Sequence, residues 1–178
     1  MNKKIIEICL KEGFSDAAIV DTNAILFDAA FRQYCEENLC GHYGANYSCP
    51  PDCGTPEEMK QRIIKHKCAL VLRTVWDIDD FNDDAPIKSA KKKHNDYTMR
   101  VIEQLEKQGH TGFMVGASGC TLCTSCLIKE GKSCAFPDKK YSCMSAYCIY
   151  VKDLAEKCGM VYDYKQGKLP LFSMYVYD

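Results

Sequence analysis

Thirteen cysteines, eight of them gathered into two short stretches without periodicity, constrain this chain more than any other feature. Thiols at this density serve one of two purposes: they cross-link a small exported domain, or they hold metal in a reducing compartment. The count is odd, so any complete disulfide scheme leaves one cysteine over. The N-terminal segment from Met1 to Glu12 does not read as an export signal, because Glu7, Lys11 and Glu12 interrupt the apolar run such a signal needs. The expected compartment is therefore a reducing cytoplasm, and the expected role of the thiols is metal ligation.

The remaining composition narrows the classes further. Apolar residues make up 47% and charged residues 26% of 178 residues, the balance of a folded globular chain. The formal net charge of −1 supplies no overall basic field for nucleic acid or an anionic membrane. The longest stretch free of Asp, Glu, Lys and Arg, Gln108 to Ile128, is rich in Gly, Ser, Thr and Cys and reads as a strand plus a ligand loop, not a bilayer span.

Periodicity predicts a helix from Asn2 to Gly13, strands at Ala17–Val20 and Ile25–Phe27, and a helix capped by Asp28 that runs into the first cysteines. Thr55-Pro56-Glu57-Glu58 is a helix start with a capping box, reaching about His66. Cys68–Val75 reads as a buried strand, 87–108 as a long helix after Pro86, and Gly112–Ala117 as a strand. A helix over 142–158 and strands over 160–162 and 171–177 complete the reading. The expected fold is α/β or α+β: one compact domain over residues 1–178, a mixed sheet of about four to six strands, and cysteine loops 35–54 and 119–140 inserted between elements.

The second loop carries Cys120-x2-Cys123-x2-Cys126-x7-Cys134, followed by Pro137. Three equally spaced thiols on a tight loop can hold three corners of a [4Fe–4S] cube while a fourth arrives from further along. Zinc more often takes two C-x2-C pairs separated by a spacer, and is the alternative here. The first loop carries Cys35-x4-Cys40-x8-Cys49-x3-Cys53 among Gly41, Gly44, Pro50 and Pro51, a spacing that matches no zinc knuckle. It is expected to hold a second metal centre or to complete the first, so one or two clusters are expected; His42 is a candidate substitute ligand. Cys9, Cys68 and Cys158 fall on apolar sides of elements and are expected to pack in the core.

These residues resemble a family of uncharacterised prokaryotic predicted metal-binding proteins, a domain of unknown function. The likeness runs through Phe31-Arg32, Cys40-Gly41-x-Tyr43-Gly44, Cys49-Pro50-Pro51-x-x-Gly54-Thr55-Pro56-Glu57-Glu58, Gly119-Cys120-x-x-Cys123-x-x-Cys126, Cys134-x-x-Pro137 and Met144-x-Ala146-Tyr147. The resemblance implies metal or iron–sulfur binding in the cytoplasm and supplies no reaction. Against the family pattern, Cys53 stands at a variable position, Cys143 and Cys148 replace small residues, and Ser145 replaces an acidic one.

Other chemistries lack their residues. Gly131-Lys132-Ser133 has no first phosphate-loop glycine, and Cys49-x3-Cys53 has no third cysteine for a radical S-adenosylmethionine loop. Neither a zinc-deaminase signature nor a nucleophile elbow nor a dinucleotide turn occurs. The expected function is thus cysteine-ligated metal binding, as an iron–sulfur electron-transfer protein or as a structural or regulatory zinc-binding interaction module. A basic helix face of Lys88, Lys91–Lys93 and Arg100 is a candidate docking patch for a redox partner protein.

Overall fold

The computed structural model describes residues 2–165 and 167–178. Its sheet is organised around the C-terminal strand, which the sequence marks with an almost unbroken apolar run. The elements follow in the order α1 (Asn2–Glu12), β1 (Asp16–Asp21), α2 (Arg32–Glu36), α3 (Pro56–Ile64), β2 (Cys68–Asp77), α4 (Asp84–Glu106), β3 (Gly112–Gly116), β4 (Ser142–Cys143), α5 (Val151–Lys157) and β5 (Lys168–Tyr177). The strand order is β1-β2-β5-β3-β4, mixed because β3 and β4 run parallel while the other neighbours are antiparallel. This is an α+β fold.

β5 pairs with β2 from Cys68↔Tyr177 to Asp77↔Lys168 and with β3 from Gly112↔Tyr177 to Val115↔Met174. Strand alternation then sends its residues to two different cores. Phe172, Met174 and Val176 join Ala69, Val71 and Val115 against α3 and α5, where Met59, Ile63, Leu154 and Ala155 are buried. Tyr175 and Tyr177 join Leu70 and Leu72 against α1 and α4, through Ile5, Cys9, Val101 and Leu105. Each such fully buried side chain contributes on the order of 2 kcal/mol of transfer free energy. β5 sits at the centre because both faces of the sheet are covered.

One polar chain crosses this apolar layer. Trp76 Nε1 donates to Thr74 Oγ1 (2.7 Å), which meets His94 Nδ1 (2.6 Å); His94 Nε2 meets Ser173 Oγ (2.8 Å), and Ser173 meets Thr98 Oγ1 (2.7 Å). Every member has a partner, so the imidazole is stable inside only as the neutral form. Burial pushes the His94 pKa down to about 3.

Local chemistry explains the helix boundaries. Thr55 accepts the Glu58 N–H while the Glu58 carboxylate accepts the Thr55 N–H, the reciprocal box expected from the sequence. α4 begins at Asp84, capped by the Asp83 side chain, so Pro86 lies within its first turn, where its missing N–H is harmless.

Four expectations are corrected. Ile25–Phe27 forms only one bridge, Phe27↔Ile149, because 22–24 is a tight 3-10 turn held by Asp21. The helix capped by Asp28 is a 3-10 turn at Ala29–Phe31 plus one short α-turn. The helix over 142–158 is three pieces: Ser142–Cys143 is drawn into the sheet beside Val115–Gly116, Cys148 turns with φ 55°, and α5 starts only at Val151. No strand forms over 160–162, whose carbonyl at Val161 instead accepts from Arg73 (2.8 Å), and whose Tyr162 ring packs on Phe172.

Candidate metal centre

Both cysteine loops lie beside the β3–β4 end of the sheet, and they touch. β3 ends at Gly116, and the chain leaves it under the control of a buried asparagine on α4. Asn95 accepts the Ala117 N–H (2.9 Å) and donates to Ser118 Oγ (2.9 Å). The second loop is then fixed to the first. Ser48 Oγ accepts the Cys120 N–H (2.9 Å), Asn46 Nδ2 donates to the Cys120 carbonyl (3.1 Å), and Tyr47 OH donates to the Lys132 carbonyl (2.9 Å). A Cβ on Gly119 would stand 3.1 Å from Cys49 Sγ, so glycine lets the two loops approach.

Cys120, Cys123, Cys126 and Cys134 line one pocket together with Asn46, Tyr47, Leu122, Phe136 and Lys140. Thr121 is held by Tyr141, whose OH accepts its backbone N–H (3.1 Å). A short 3-10 turn at Leu127–Glu130 follows Cys126 and is ended by left-handed Gly131, turning the chain back toward Cys134. Burial raises the Cys120 thiol pKa; the N–H groups of Leu122 and Tyr141 aimed at its sulfur work against that, and Cys134 and Cys123 add to it.

The first loop forms a separate thiol group. Cys49 and Cys53 are buried, Cys35 is partly buried and Cys40 is exposed. Burial pushes the Cys35 thiol up to about 11 and Cys49 up to about 12. The next contribution at both positions is repulsion from Cys143, and Cys148 and Cys40 are also felt at Cys35. Cys143 and Cys148 therefore lie with the first loop, although nearly a hundred residues of sequence separate them from it. Arg32 joins the parts, donating to the Gly54 carbonyl (3.0 Å) and the Ala146 carbonyl (2.9 Å).

Among the described residues, no three His, Cys, Asp or Glu side chains are placed to hold a single metal ion. The chemistry of the donor set still fits a metal: eight candidate thiols in two groups, one of them around a pocket, are soft ligands of the kind that take iron–sulfur clusters or zinc. His42 is exposed, and its pKa is lowered, first by partial desolvation and then by the charges of Lys129, Lys88 and Lys91. Cys9 is buried in the core under α1, while Cys68 and Cys158 pack against the two apolar cores.

The model of a family described as predicted metal-binding protein (DUF2284) matches residues 18–176. The chain belongs to this family. No curated protein and no solved structure matches it. Metal binding is the family's predicted property, and both cysteine loops fall inside the matched span. No helix among the described residues is long and apolar enough to cross a membrane.

Sequence reasoning did not find the residues that place the loops. Asn46, Ser48 and Asn95 carry no periodic or motif signal; a buried Asn-x-Ser between two cysteines is the one hint, since polar residues inside a ligand loop need partners. Cys143 and Cys148 stand out in the sequence as departures from the family pattern and as spare thiols, but the helical reading of 142–158 does not place them beside the first loop.

Proposed function

We propose that Cys120, Cys123, Cys126 and Cys134 hold one [4Fe–4S] cluster, that the first loop holds a second metal centre, and that the protein passes single electrons in a reducing cytoplasm. The observation that carries this reading is the pocket shared by all four thiols of the second loop. A cube needs its ligands spread around a void, whereas zinc needs them drawn to about 2.3 Å from one point. When bound, the cluster would supply one-electron redox chemistry.

The surrounding residues have roles that suit such a group. The N–H groups of Leu122 and Tyr141 directed at the Cys120 sulfur would stabilise its thiolate and raise the reduction potential of the centre. Leu122 and Phe136 give the pocket apolar lining, and Lys140 beside it would offset the negative charge of a bound cluster. Lys88, Lys91 and Lys129 are close enough for their charges to lower the His42 pKa, and such a basic surface would suit an acidic redox partner protein.

Anaerobic purification tests the reading. A brown protein whose broad visible absorption bleaches on reduction with dithionite is expected. A colourless protein carrying zinc after growth in iron-replete anaerobic medium would mean a non-redox metal module instead.

A further inference from the structure

We propose that the second loop, and not the first, is where the protein meets its redox partner, through a face for an acidic protein built from Lys91 on α4 and Lys129, Lys139 and Lys140 on the loop. The proposal rests on the reading of the second loop as a redox centre and names the partner and the docking face of that centre.

The two loops differ in charge. The second, residues 119–140, carries Lys129, Lys132, Lys139 and Lys140 against Glu130 and Asp138. The first, residues 35–54, carries Glu36, Glu37 and Asp52 and neither lysine nor arginine. Lys132 is paired with Glu130 at 2.7 Å. Lys129, Lys139 and Lys140 are exposed and have no acidic partner among the described residues. Lys140 and Phe136 both line the pocket of the four thiols, and the Phe136 side of that lining is open, the residue being 43% exposed. An apolar contact with charges around it, beside the redox centre, is the makeup of a protein docking face.

α4 extends this face on one side only. Lys88, Lys91 and Asn95 recur at helical spacing along one flank of the helix. Asn95 bonds Ala117 and Ser118, so that flank runs beside the root of the second loop. Lys88 shares its charge with Asp84 at 3.0 Å, while Lys91 has no acidic partner among the described residues. Lys93 and Arg100 fall on the opposite flank and are engaged within the chain. Lys93 Nζ lies 5.8 Å from the Trp76 ring, and Arg100 lies 4.8 Å over Tyr97 and pairs with Glu12.

An acidic protein fits this face better than a nucleic acid does. The whole chain carries a net charge of −1, and the acidic first loop is hydrogen-bonded to the second through Ser48 and Asn46. An extended polyanion tracking across the surface would meet Glu36, Glu37 and Asp52, whereas a compact partner needs only local complementarity.

The test titrates poly-L-glutamate into anaerobically prepared full-length protein by calorimetry at low ionic strength, a readout that needs no redox-active metal. Wild type is expected to bind, and Lys129→Glu/Lys139→Glu to bind at least about tenfold more weakly, the difference fading at high salt. Lys3→Glu/Lys4→Glu, an equal change of charge on exposed residues of α1, is expected to bind as wild type does. Within α4, Lys91→Glu should weaken binding and Lys93→Glu should not; these two decide if the loop variant fails to fold. A wild type that does not bind would mean that the lysines only offset the cluster's own charge, and overturns the proposal. Equal weakening by the two double variants, or by Lys91→Glu and Lys93→Glu, overturns it as well. Tighter binding of oligothymidylate than of polyglutamate through the same lysines would assign the face to nucleic acid instead. In the dithionite-reduced, iron-loaded protein, each cluster electron converts one ferricyanide to ferrocyanide, and Lys129→Glu/Lys139→Glu should slow this at least about tenfold at low ionic strength. An unchanged rate overturns the placement of this face at the electron exit. A protein that holds zinc alone contradicts the redox reading, and the polyglutamate titration then still decides the acidic partner.

Discussion

Replacing Ser48 by alanine should loosen both cysteine loops at once, and the size of the effect follows from two hydrogen bonds. The Ser48 side chain is 1% exposed and belongs to the first loop. Its oxygen accepts the Cys120 N–H at 2.9 Å, and its hydroxyl donates to Asn46 Oδ1 at 2.9 Å. Asn46 Oδ1 keeps a second donor, the Ser48 backbone N–H at 3.0 Å, so the loss falls mainly on Cys120. Leaving a buried N–H unpaired costs about 1–3 kcal/mol. Because that N–H belongs to a proposed ligand residue, part of the cost should appear in the metal centre: outer-shell partners typically carry about 10–100-fold in affinity. The assay is a chelator challenge of the metal-loaded protein, followed by visible absorbance, with urea unfolding in parallel. The exposed Ser145→Ala is the control. Ser48→Ala should release metal from the second loop at least about tenfold faster and unfold with about 1–3 kcal/mol less stability. Release and unfolding indistinguishable from Ser145→Ala would refute the idea that the first loop preorganises the second.

Three further outcomes follow from the same structure. His94 is held neutral, with a pKa pushed down to about 3 against an unfolded value near 6.5, so its contribution is complete above that value and lost as pH falls toward 3. At pH 4.5 this linkage should cost wild type on the order of 2–3 kcal/mol relative to neutral pH. His94→Gln should lack that increment, read as a smaller drop in urea midpoint between pH 7.5 and 4.5; equal drops would contradict the assignment. Gly119→Ala places a Cβ 3.1 Å from Cys49 Sγ and should destabilise by about 1–3 kcal/mol through overpacking, checked by thermal unfolding. Thr55→Ala removes the capping side chain of α3 and should cost about 1 kcal/mol in chemical denaturation, with metal content unchanged.

Much of this architecture was legible from local signals. The capping box at Thr55–Glu58, the apolar run Cys68–Val75 and the glycine after the long helix each report a backbone preference that needs no partner to be read. Residues 142–158 were misread because their helical spacing competes with an edge position in the sheet that only β3 supplies. Short elements such as Phe27↔Ile149 exist only as answers to a distant segment and leave no local trace. The same limit applied to the site. The four thiols of the second loop sit near one another in sequence, so their shared pocket was foreseeable. The grouping of Cys143 with Cys35 and Cys49 depends on the course of β4, and the holding of Cys120 by Ser48 depends on two loops meeting. Neither is written in spacing.

The central claim is that two thiolate centres lie side by side, one per loop, and that the second loop holds a [4Fe–4S] cluster. The most direct measurement is iron and acid-labile sulfide per chain in anaerobically purified wild type and in Cys123→Ser/Cys126→Ser. The account predicts about eight irons with matching sulfide in wild type, falling to about four in the double variant. Zinc without labile sulfide in wild type, or iron that is unchanged by the double substitution, would contradict it.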